Sequence, residues 1–166
     1  MIIKNIIRFI LLIGVQVIIL NKVNFSGYID PYLYVLFVLL LPFATRKSVL
    51  LLLAFLTGAA VDVFSHTHGV HTAATVFLAF LQPGIIRLLS PKQEYENAKQ
   101  PSIREMGVQW FYFYALLLIV AHHSLLFILE SFRFNDLMTL AYRILFSSLV
   151  TLVLVLIIQY LFSAKK

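Results

Sequence analysis

Six apolar stretches follow one another along this chain with short polar breaks between them, at approximately residues 2–20, 28–42, 48–64, 70–89, 108–129 and 137–162. A helix that crosses a bilayer uses about 20 predominantly apolar residues, so six crossings consume roughly 120. In 166 residues that leaves connections and ends, but no separate soluble domain. Charged residues are 12% of the chain, about half the usual share of a soluble protein. The expected fold is all-α: a polytopic membrane protein with six transmembrane helices in one bundle formed by residues 1–166.

The first stretch carries Lys4 and Arg8 one helical turn apart, placed to snorkel to the near interface. It resembles a signal peptide, but residues 17–25 offer no small-x-small cleavage pair, so it is expected to stay as an anchor. The second, bounded by Asp30-Pro31 and Pro42, is short for a crossing, whereas the last is long enough to tilt.

Sidedness follows from lysine and arginine. With six spans, Lys4, Arg8, Arg46, Lys47, Arg87, Lys92, Lys99, Arg104, Lys165 and Lys166 share one side, facing Lys22 and Arg133 on the other, while Arg143 lies within the sixth span. The positive-inside bias then puts both termini in the cytoplasm of a cell inner membrane, and five spans would break the agreement. In this setting a formal charge of +6 describes sidedness and gives no reason to expect nucleic acid as a partner. No cysteine is present, which excludes disulfides, thiolate metal sites and a cysteine nucleophile.

Chemistry-bearing residues cluster in two places. Ala54, Gly58 and Asp62 recur every four residues and share one helical face, where small side chains permit close helix approach and an intramembrane carboxylate must turn inward. Asp62 reads either as a structural acid that caps the next turn or pairs with a neighbour, or as a binding acid. By depth, His122, His123 and Arg143 complete a polar intramembrane cluster with it, and Asp62 with Arg143 is the expected ion pair. The two histidines stand about 100° apart on their helix, so only one is expected to face the core. His66, His68 and His71 invite a zinc site, but the trio lacks the i, i+4 spacing of a helical metal motif, and Gly69 marks a turn. No metal and no cofactor is expected.

No Gly-x-Ser-x-Gly element or phosphate-binding loop occurs, and Ser124, Ser147 and Ser148 sit in apolar helices, so an enzyme is not expected. The aromatic run at residues 110–114 reads as an interfacial belt. In the long polar connection over 90–107, Ser102 and Glu105 have capping-box spacing and are expected to start the fifth helix.

Leu41-Pro42-Phe43, the stretch over 51–64 with Gly58 and Asp62, the turn with Gly69 and His71, and Phe77-Leu78-Ala79-Phe80-Leu81-Gln82-Pro83 together resemble the rod shape-determining protein MreD family, in its Bacteroidetes-type form. The likeness covers about residues 41–90, and Gly58-x-x-x-Asp62 followed by Gly69 is its most specific part. It implies a non-enzymatic inner-membrane scaffold of the elongation machinery that directs side-wall peptidoglycan synthesis. It also implies MreC as direct partner, with MreB, RodA and a class B penicillin-binding protein behind it, and membrane lipid around it. The implied fold is similar to the substrate-binding subunits of energy-coupling-factor (ECF) vitamin transporters. Such a subunit is the alternative reading, though the first helix has one isolated small residue, Gly14, in place of the Ala-x-x-x-Ala docking element typical of those subunits. On the scaffold reading, Ala54, Gly58, Asp62 and Gly69 are the expected helix-packing and partner interface.

Overall fold

A computed structural model describes residues 2–22, 29–90, 98–131 and 136–163. Tyr28, Lys92, Arg133, Lys165 and Lys166, on which the span bounds and the charge count draw, lie outside the described residues. Among the described residues five helices are long and apolar enough to cross a membrane. They are α1 (Ile2–Ile18, followed by a 3-10 turn at Leu20–Lys22), α3 (Lys47–Ser65), α4 (Val70–Leu89), α6 (Val108–Ser131) and α7 (Leu137–Ser163). Among the described residues there are also two short helices, α2 (Val35–Leu39) and α5 (Ile103–Met106), and no strand. At 1.5 Å per residue α3 and α4 measure about 28–30 Å, a bilayer's hydrocarbon thickness, whereas α7 reaches about 40 Å and must tilt.

The second apolar stretch corrects the six-helix expectation, because among its described residues only Val35–Leu39 is α-helical. An uninterrupted apolar run does not by itself distinguish a helix from a buried irregular segment, and Pro31 and Pro42 bracket a stretch too short to wind across a membrane. Residues 33–41 are all buried, in the middle of the bundle.

This segment nevertheless runs from one end of the bundle to the other. Asn21 Nδ2 donates to Ser65 Oγ at 2.9 Å, which joins the C-terminal ends of α1 and α3 and makes those helices parallel. The chain between them must therefore return. At its start Asp30 meets Arg143 near the beginning of α7. At its end Arg8 Nη1 donates to Leu40 O at 3.2 Å, and the Phe43 amide donates to Lys99 O at 3.2 Å. Five helices plus one irregular return keep the even number of crossings on which the charge count depends.

Non-helical backbone at membrane depth is tolerated only when protein or water satisfies its polar groups. Here side chains from four helices do so. Gln16 of α1 donates to Pro31 O at 3.0 Å and accepts the Leu33 amide at 2.7 Å. From α7, Ser147 Oγ accepts the Asp30 amide and Thr151 Oγ1 the Tyr32 amide, each at 3.0 Å. Gln82 of α4 reaches Val38 O at 3.3 Å, and the Tyr114 hydroxyl of α6 donates to Leu39 O at 2.9 Å.

Around this strap, α3 packs most extensively on α4, α4 on α6, and α6 on α7. Asp136 caps α7, its carboxylate accepting the Thr139 amide at 3.0 Å and hydroxyl at 2.5 Å. Those two bonds hold its carboxyl below the usual aspartate range. The expected capping box at Ser102 and Glu105 is corrected. Ser102 Oγ makes no cap bond, Glu105 instead accepts the Lys99 and Gln100 amides, and Gly107 (φ 86°) ends α5 before α6 starts at Val108.

Candidate functional site

The sequence stretch that carried most information folds into the α3–α4 hairpin. α3 ends at Ser65, His66 turns left-handed at φ 54°, and Gly69 at φ 87° precedes α4. Gly69 has no side chain with which to cap α4, and Asp62 does so from the preceding helix. Its Oδ1 accepts the His71 amide at 3.1 Å and the Thr67 hydroxyl at 2.5 Å. Its Oδ2 accepts the Thr72 amide at 2.8 Å and the Thr72 hydroxyl at 2.5 Å. A carboxylate at a helix N-terminus both satisfies orphan amides and meets the positive end of the helix dipole. One turn earlier, Gly58 lies so close to α4 that an added Cβ would stand 2.4 Å from Thr72 Cα. Ala54, another turn back on the same face, is fully buried. Ala54, Gly58, Asp62 and Gly69 are thus brought together as one hairpin lock. At Gly58 and Asp62 the face is covered by α4 of the same chain, so there the expected partner interface is corrected to an intramolecular contact.

The Asp62–Arg143 pair is also corrected. Arg143 Nη2 bonds Asp30 Oδ2 at 3.0 Å and Glu130 Oε2 at 3.1 Å, with its guanidinium 4.4 Å above the Phe127 ring. In the sequence Asp30 stands at the boundary of an apolar stretch, and the irregular strap carries it to Arg143 near the start of α7. This three-residue ion cluster ties the ends of α6 and α7 to the strap.

Both histidines of α6 are fully buried, contrary to the expectation that only one would face inward. α6 is flanked by α4, α7 and the strap, so two directions about 100° apart are both interior. His123 Nδ1 lies 2.9 Å from Ile119 O and therefore carries the proton, leaving Nε2 to accept from the Thr151 hydroxyl at 3.2 Å. His122 Nε2 sits 2.9 Å from the Tyr34 hydroxyl, which is 3.1 Å from His71 Nδ1. His122 Nδ1 has no partner among the described residues. A neutral Tyr34 that donates to His71 and accepts from His122 leaves that nitrogen as an unmet acceptor, the less costly arrangement than an unmet donor. His66 and His68 stay exposed while His71 turns into this network, so the trio does not converge.

Where α1, the strap, α3, α4 and α6 meet at the Lys22 end, a cavity of about 420 Å3 opens. Gln16, Asn21, Asp30, Tyr32, His71 and Glu130 are among the polar groups on its wall. The sequence reading missed Gln16, Asp30, Tyr34, Gln82, Tyr114 and Thr151. The available signal was polarity inside apolar stretches: a glutamine at membrane depth has the same need for partners as an acid, at lower cost.

The chain matches no protein-family model, no curated protein and no solved structure.

Proposed function

We propose that this chain is a non-enzymatic membrane scaffold of the MreD kind, resident in the cell inner membrane with both termini cytoplasmic. It acts with MreC, and through it MreB, RodA and a class B penicillin-binding protein, to maintain cell shape and direct side-wall peptidoglycan synthesis. The observation that carries this reading is how the intramembrane polar groups are used. Gln16, Gln82, Tyr114, Ser147, Thr151 and Asp62 all bond the chain's own backbone, fixing a rigid body. Outward, α1 leaves Ile3, Ile6, Ile7, Ile10 and Leu11 exposed, an apolar face available to a single-span helix or to lipid. The resemblance over residues 41–90 centres on the hairpin lock, whose role in this fold is structural, as a scaffold requires.

Affinity purification from native membranes in mild detergent tests the reading. Recovery of a single-span MreC-like protein together with wall synthases supports it. Recovery of paired ATPases with a coupling membrane subunit refutes it, and supports the second reading, a substrate-binding subunit of an ECF-type transporter. The cavity of about 420 Å3 at the Lys22 end favours that alternative, because it gathers polar groups from several elements in the volume range of small-molecule sites.

A further inference from the structure

At the opposite, basic end of the bundle a second cavity of about 200 Å3 lies between the start of α3 and the last turns of α4. Pro42 and Leu50 give it apolar walls, and Lys47, Arg87 and Thr45 stand around it. No carboxylate lines it, and neither cation has a hydrogen-bond or ion-pair partner among the described residues. α3 opens at the same place with no side-chain cap, so no side chain answers its first-turn amides, and the positive end of its dipole adds to the two cations.

A second, independent feature marks the inner wall. Gln82 is 3% exposed and lines the cavity. Its Nε2 protons go to Val38 O at 3.3 Å and the Tyr114 hydroxyl at 2.7 Å, while Oε1 has no partner among the described residues. The cavity therefore combines a cluster of unpaired donors with one buried acceptor, inside apolar walls.

We propose that this cavity binds the headgroup of an anionic, hydroxyl-bearing glycerophospholipid of the phosphatidylglycerol type. The phosphate takes Lys47, Arg87 and the α3 amides, as phosphates do at helix N-termini flanked by cations. A headgroup hydroxyl reaches Gln82 Oε1 by displacing the side chains that close it off, and supplies a proton that a choline headgroup lacks. The acyl chains lie along outward apolar side chains of the same two helices, such as Phe55 and Phe80. The apolar walls, together with the exposed apolar side chains of α3 and α4, favour a lipid over a free phosphate ester. This site is independent of the scaffold reading, since neither partner recovery nor transport bears on it.

The chain has one tryptophan, Trp110, whose ring lies 6.5 Å from Phe43 on the cavity wall and reports occupancy. The full chain in detergent is titrated with brominated phosphatidylglycerol and with brominated phosphatidylcholine, following Trp110 quenching. Phosphatidylglycerol is expected to bind at least about tenfold tighter, each of two cations contributing roughly fivefold. Lys47→Gln with Arg87→Gln removes that preference. A control pair, Arg46→Gln with Lys99→Gln, changes basic residues that do not line the cavity and leaves most of the preference. Melting curves confirm that both variants fold. Equal quenching by the two lipids, or equal loss in the control pair, overturns the site. Competition by millimolar glycerol phosphate overturns the lipid source, because the free ester then suffices.

Discussion

Replacing Gly58 with alanine sets two helix effects against each other, and the geometry decides between them. In an ordinary exposed helix the change gains about 1 kcal/mol, because glycine is the poorer helix former. Here the new methyl would stand 2.4 Å from Thr72 Cα and 2.7 Å from both His71 O and Thr72 N. Carbon atoms pack at about 3.5–4.0 Å, so α4 must retreat by more than about 1 Å, and the obstacle is backbone that cannot rotate away. Overpacking of this kind costs about 1–3 kcal/mol. The retreat also stretches the Asp62 bonds to the Thr72 amide at 2.8 Å and the His71 amide at 3.1 Å, each worth about 1 kcal/mol or more. The net expectation is a loss of about 2 kcal/mol, or roughly 4–8 °C in melting temperature for a chain of this size. Thermal unfolding in mild detergent, read by loss of the monodisperse peak, measures it. Gly14→Ala is the control, since nothing lies within 4 Å of the added Cβ, and it should be neutral or stabilising. A Gly58→Ala protein that melts at or above wild type would refute the close-approach argument.

Other consequences can be checked with equally simple variants. Asn21→Cys with Ser65→Cys should form a disulfide on mild oxidation in a chain without native cysteines, whereas an antiparallel α1 and α3 would leave both thiols free. Asp62→Ala leaves the α4 amides uncapped and should cost about 2–4 kcal/mol, with Asp62→Asn intermediate because it keeps one acceptor; melting of Asp62→Ala at the wild-type temperature would show that the cap contributes little. Exchanging charges at Asp30 and Arg143 should give a double variant more stable than the sum of the single losses, by about 0.5–3 kcal/mol. The same exchange at Asp62 and Arg143 should be additive, because those residues bond different partners.

The five long helices were legible because hydrophobicity over about 20 residues is a signal that local detail does not disturb. Residues 70–89 and 137–162 match α4 and α7 to within one residue. The hairpin face was legible for a related reason: Ala54, Gly58 and Asp62 keep helical spacing, and a face of small residues ending in an acid has few uses except close packing. The ion pair was not legible, because depth along a helix says nothing about which neighbour carries the counter-charge. Asp30 reaches Arg143 only through the path of the strap.

That strap also explains why polar residues are scattered through such an apolar chain. A six-helix bundle would satisfy its backbone within each helix and would have no use for Gln16, Gln82, Tyr114 or Thr151 at depth. Once one crossing is irregular, each exposed amide or carbonyl in the hydrocarbon region would cost several kcal/mol, and a polar side chain must be supplied opposite it. The polar positions are therefore set by the path of residues 30–40, and each lies on the helix that passes the group it serves. Gln16→Leu should accordingly destabilise the protein more than a surface substitution, since it abandons both Pro31 O and the Leu33 amide. Two unmet buried groups predict a loss of about 2–6 kcal/mol, against a small gain from leucine's better transfer into the apolar interior. Proteolysis in detergent separates the two views of this residue. Faster cleavage within the strap is expected if Gln16 holds it, and unchanged cleavage would mean that the strap is held by its apolar side chains alone.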